Sequence, residues 1–162
     1  MGVLRAAWHI ARKDLLVEAR SRELIYTAVF FAVACLLIFA FAFVQGRTTV
    51  VNASAGILWI TVIFAGTLAL GRTFERERQT DTLRALLLSP VERPAIYLGK
   101  LFSLLVLLAG IEVVVLPLVG LLFGAPLLRA PLMLVSLLAL GTLGFAVVGT
   151  LFAAMLVRAS SR

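Results

Sequence analysis

Long apolar runs alternate with short polar ones along this chain. Leu24 to Val44, Ser54 to Gly71, Ala95 to Phe123 and Leu132 to Val157 are apolar almost throughout. Each approaches or exceeds the roughly 20 residues that a helix needs to cross a bilayer. No water reaches the bilayer core, so backbone donors and acceptors must pair within each segment. The expected fold class is therefore all-α: a polytopic membrane protein with four transmembrane helices at 24–44, 54–71, 95–123 and 132–157. Tyr26, Trp59 and Tyr97 fall near span ends, where aromatic rings suit the headgroup level. Gln45 to Ala53 and Gly124 to Pro131 read as short polar loops between spans.

Residues 1–23 carry a different pattern. Leu4, Trp8, Ala11, Leu15 and Ala19 fall on one helical stripe, and Arg5, Arg12, Lys13 and Arg20 lie off it. A basic amphipathic helix with a tryptophan suits the membrane surface. A plain positive flank for the first span would give the same topology. A cleaved signal peptide does not fit, because the polar region is long and the apolar run after it is too long.

The long polar insertion lies between the second and third spans. From Arg72 to Lys100 it holds Glu75, Glu77, Asp81 and Glu92 out of the chain's eight acidic residues. Gln79-Thr80-Asp81 interrupts the charge run with poor helix formers and an N-cap candidate. Leu83, Leu86 and Leu87 then recur at helical spacing, and Ser89-Pro90 stops the pattern. Pro94 keeps the chain bent before the next span. The reading is a short amphipathic helix lying in water, with Glu75, Glu77 and Arg78 ahead of it. It suits a handle for a soluble partner. A solvated loop whose leucines touch headgroups is the alternative.

Composition and charge narrow the picture. The chain has 162 residues, is 62% hydrophobic and carries a net charge of +7. Its basic residues cluster at span ends, and no polar segment is large enough for a nucleic-acid-binding domain, so nucleic acid is not an expected partner. Arg5, Arg12, Lys13, Arg20, Arg22, Arg72, Arg76, Arg78, Arg84, Arg93, Lys100, Arg158 and Arg162 fall on one side of the spans, against Arg47 and Arg129 on the other. The positive-inside rule puts both ends and the charged insertion in the cytoplasm. Cys35 is the one cysteine and sits inside a span, so no disulfide or metal framework is expected. His9 is the one histidine; imidazole can ligate iron, but the residue lies on the surface helix away from any pocket.

Glu112 is the ionisable residue set deep in a span. A carboxylate there costs about 2.5–3.5 kcal/mol on insertion scales if Glu behaves like Asp, so it should face protein or a water-filled cavity. Either it titrates or contacts substrate, or it is a structural carboxylate bonded to a neighbouring helix. Pro117, five residues on, is expected to weaken the local helix. Thr142, Ala146, Thr150 and Ala154 form a stripe of small residues, a packing face within the subunit or between two copies in a homodimer. No catalytic constellation is visible. The chain lacks a Gly-x-x-x-x-Gly-Lys-Ser/Thr loop: Pro94 stands where its first glycine would be, and Leu101 follows Lys100.

Glu75-Arg76-Glu77, Thr82-Leu83, Leu86-Leu87-Leu88-Ser89-Pro90-Val91, Arg93 and Leu98-Gly99-Lys100 together resemble the cytoplasmic loop of ABC-2 permeases. Within that class the chain is most similar to the B subunit of the heme exporter in cytochrome c maturation. Arg12-Lys13-Asp14-Leu15, the Glu112 to Pro117 stretch and Gly141 to Phe152 carry that closer likeness. Asp81 stands where glycine is usual, and Arg84 where an acid is common.

The resemblance implies a single ABC-2 type transmembrane domain over 1–162, with 72–94 as the segment coupled to a cytoplasmic ATPase. ATP then belongs to that separate subunit and heme is a candidate substrate, while no cofactor is assigned to this chain. It also implies the bacterial cytoplasmic membrane and the other cytochrome c maturation membrane subunits as partners. The family usually has six spans, so four suggest part of a longer reading frame. An exporter of lipid, polysaccharide or drug, and a non-transporting membrane scaffold, are the other readings.

Overall fold

The computed structural model describes residues 2–43, 47–79 and 92–159. Among them are five α-helices: α1 Val3–Ser21, α2 Glu23–Ala42, α3 Arg47–Gln79, α4 Arg93–Phe123 and α5 Pro131–Ala159. A 3-10 turn at Leu127–Arg129 links α4 to α5. Four helices are long and apolar enough to cross a membrane: Glu23–Ala42, Val51–Gly71, Pro94–Phe123 and Pro131–Phe152. The protein is a multi-pass membrane protein.

Helix α4 is the hub. It packs against α1, α2, α3 and α5. Its inward face is a ladder of Leu104, Leu108, Ile111, Val115 and Val119, all buried. Helix α2 meets the bundle through Leu24, Ala28, Ala32 and Leu36, one residue per turn. Phe30, Ile38 and Phe41 face outward. In water that exposure would be unfavourable, but in a bilayer it is the lipid-facing side. Small residues on the inward stripe let the backbones approach closely.

At Arg22 the chain turns from α1 into α2 through a single left-handed residue, φ 53°. Its N–H bonds the Glu18 carbonyl at 2.8 Å, closing α1. Its own carbonyl accepts from Tyr26 N–H at 3.0 Å, opening α2. A left-handed C-terminal residue is a common helix stop.

Two boundaries differ from the sequence reading, and a third feature, Pro117, lies inside a span that stays whole as expected. Residues 47–53 are helical rather than loop, because α3 begins at Arg47. Polar residues there do not break the helix: Ser54 Oγ donates back to the Val51 carbonyl at 2.7 Å. Pro94 lies in the first turn of α4 instead of holding the chain bent ahead of it. An N–H is not needed in that turn, and the ring presets φ. Pro117 leaves α4 continuous to Phe123. One lost bond does not outweigh the cost of freeing further backbone groups in lipid.

The surface helix is rotated relative to its expected stripe. Its protein-facing side is Ala7, Ile10 and Ala11. Leu4 and Trp8 are 79% and 54% exposed, flanking that side. Helix α4 covers Ala7, Ile10 and Ala11, and Leu4 and Trp8 stay largely outside.

Candidate functional site

The site begins where α3 leaves the membrane and α4 enters it. Helix α3 has 33 residues, while its apolar window ends at Gly71. It is about 50 Å long at the helical rise of 1.5 Å per residue, against a hydrocarbon core of about 30 Å. The excess at its C-terminal end carries the backbones of Glu75, Glu77 and Arg78 beyond the window. Leu83, Leu86 and Leu87 lie outside the described residues.

Helix α4 is anchored within its first three turns. Tyr97 Oη donates to the Val147 carbonyl on α5 at 3.1 Å. Lys100 is 6% exposed, and its Nζ lies 2.7 Å from Asp14 Oδ2 on α1. Lys13 Nζ approaches the other oxygen of Asp14 at 3.0 Å. Ser103 Oγ donates to the Lys100 carbonyl at 2.9 Å. A buried ammonium is expensive unless it is paired and hydrogen-bonded, and Asp14 supplies that pairing. Gly99 lies against α1 so closely that a Cβ there would come within 2.8 Å of Ile10 Cβ. Trp8 and Phe102 meet edge to face, with centroids 5.6 Å apart.

The Asp14–Lys100 pair was not anticipated from the sequence. The partners are 86 positions apart. Lys100 reads as one more positive residue flanking a span. A carboxylate within the basic helix and a lysine a turn or more into an apolar helix were the available signals.

Deeper in the membrane, a second polar contact joins α4 to α5. The Thr142 hydroxyl donates to Oε1 of Glu112. Glu112 is half-buried and Thr142 is buried. The carboxylate is thus bonded to a neighbouring helix, as the structural reading requires, and part of it remains uncovered. Thr142, Ala146 and Thr150 point into the bundle. Thr150 Oγ1 returns to the Ala146 carbonyl at 2.7 Å. The Ala154 side chain lies outside what is described. Among the described residues, no group of three or more His, Cys, Asp and Glu could hold a metal ion. His9 is exposed on α1.

Residues 5–161 match the family described as CcmB protein. Heme exporter protein B of Escherichia coli (strain K12) is 29% identical over 96 residues, covering 59% of this chain and 44% of that protein. Heme exporter protein B of Pseudomonas aeruginosa is 30% identical over 149 residues, covering 91% of this chain and 66% of that protein. The chain therefore spans less than two thirds of either relative's length. No solved structure matches. Four described helices long and apolar enough to cross a membrane, and a family match over nearly the whole chain, define a multi-pass membrane protein of a recognised family. The chain belongs to the CcmB protein family.

Proposed function

We propose that this chain is a transmembrane permease subunit of an ATP-driven exporter, serving heme export in the assembly of c-type cytochromes. The family match over residues 5–161 carries the reading, and both relatives bear the name heme exporter protein B. The sequence holds no phosphate-binding loop of its own, so a separate cytoplasmic ATPase supplies the hydrolysis. Its docking segment is 72–94, which runs from the last two turns of α3 to the first residues of α4. Leu83, Leu86 and Leu87 form the apolar contact, and Glu75, Glu77 and Arg78 pair at its rim. Rim charges set orientation and encounter rate more than affinity.

In this account the protein sits in the bacterial inner membrane with both ends in the cytoplasm. Its other partners are the remaining membrane subunits of cytochrome c maturation. A push on 72–94 reaches two helices at once, because the segment is continuous with both. Helix α4, as hub, passes it to the rest of the bundle. The test is to solubilise the tagged full chain from its native membrane and identify what accompanies it. An ATPase with a phosphate-binding loop is expected in defined stoichiometry. Recovery of other membrane subunits without any such ATPase would contradict the reading.

A further inference from the structure

We propose that Asp14 and Lys100 are positioning residues that lock α1 to the first turns of α4, making these helices one lever. The lever carries motion from the 72–94 segment through α1 and Arg22 into α2. The inference rests on the assignment of 72–94 to ATPase coupling.

Three kinds of contact hold the two helices together. The ion pair is short, and both side chains are largely covered, 6% exposed for Lys100 and 12% for Asp14. Beside it, Gly99 admits Ala7 and Ile10 to direct contact with the α4 backbone. One turn beyond, Trp8 meets Phe102 at an interplanar angle of 60°. Together the contacts span two turns of α1 and a single turn of α4. Sliding or rotating α1 would break all three. Separating the ion pair would take Asp14 away from a largely buried ammonium, which is more costly than keeping the pair.

The continuation into α2 follows from Arg22. Helix α1 closes and α2 opens on that residue's own backbone bonds, with no loop between them. A flexible linker would absorb displacement of α1, and one hydrogen-bonded residue leaves little slack. By contrast, α1 touches α2 far less than it touches α4. The first span also packs on α3 and α4, so the Arg22 junction adds a second route by which displacement of α1 reaches it.

The test fixes α1 to α4 covalently and asks whether transport survives. In a Cys35→Ser background, Trp8→Cys and Phe102→Cys are joined by a short bifunctional thiol reagent in membranes holding the whole exporter. Both native side chains are about half exposed, so these changes do not open the core. ATP-dependent export by the linked protein should equal that of the same variant before linking. Export that stops on linking and returns when a cleavable linker is cut would overturn the lever.

A second arm tests the ion pair. Lys100→Asp alone should lower both cross-linking and export while the ATPase still co-purifies. Adding Asp14→Lys should restore both. Cross-linking and export unaffected by Lys100→Asp would sink the proposal. Failure of the ATPase to co-purify with wild type would instead refute the coupling assignment. In that event cross-link yield, with and without the charge reversal, still decides whether the pair holds α1 to α4. The linking arm alters no charge, so it decides even if a reversal fails to reach the membrane.

Discussion

The ring of Trp59 on α3 occupies the space that a Cβ at Gly141 on α5 would need. The contact joins two helices that are not neighbours in the chain, next to the Thr142–Glu112 bond. Three residues on, Gly144 has open space where its Cβ would stand. Gly141 and Gly144, on one helix, therefore make opposite demands.

Gly141→Ala should force Trp59 out of its place. Overpacking of a well-filled interior costs about 1–3 kcal/mol. Gly144→Ala should be neutral or slightly stabilising, since alanine favours helix over glycine. Thermal unfolding of the detergent-solubilised protein would compare them. Equal midpoints would remove the Trp59 contact from the packing account.

The Thr142–Glu112 bond yields a second prediction. Thr142→Val takes away the donor and should lower stability. Glu112→Gln keeps a carbonyl acceptor for the Thr142 hydroxyl and should leave stability near wild type. A double-mutant cycle with Glu112→Leu and Thr142→Val should give a coupling of about 0.6 kcal/mol and no more than ~1.7 kcal/mol, the range for interhelical hydrogen bonds in membranes. A coupling of zero would mean that the contact holds nothing. Export should also survive Glu112→Gln if the carboxylate is structural. Loss of export at unchanged stability would assign Glu112 to the transport path.

Topology supplies a third. With Cys35 replaced by serine, single cysteines at Thr48 and Arg129 should react with a membrane-impermeant reagent in intact cells. These positions begin α3 and end the 3-10 turn, both on the side opposite the basic cluster. Protection at both would reverse or break the proposed orientation.

The spans were legible because run length alone bounds a membrane helix, and their observed ends fall close to those expected. The start of α3 was not legible. Thr48, Thr49 and Asn52 read as loop by composition, whereas helical pairing of the backbone wins at the bilayer edge. On α1 the periodicity picked out an apolar arc without saying which part α4 would cover. Ala7 and Ile10 are buried because Gly99 lets α4 come close, a fact held in another part of the chain. The Asp14–Lys100 pair was hidden for the same reason. Glu112 stood out as an ionisable group in an apolar run, but its partner Thr142 was visible only as a member of a small-residue stripe.

If 72–94 couples the chain to an ATPase as proposed, Leu86→Asp should break that coupling. The change lies outside every span, so membrane levels should hold. Truncating one apolar residue at the core of an interface can cost about 2 kcal/mol or more, and a carboxylate there adds an unpaired charge. Co-purification of the ATPase, at matched membrane levels, should fall together with ATP-dependent export. Equal recovery of the ATPase with undiminished export would contradict the account, leaving the leucine stripe resting on lipid headgroups.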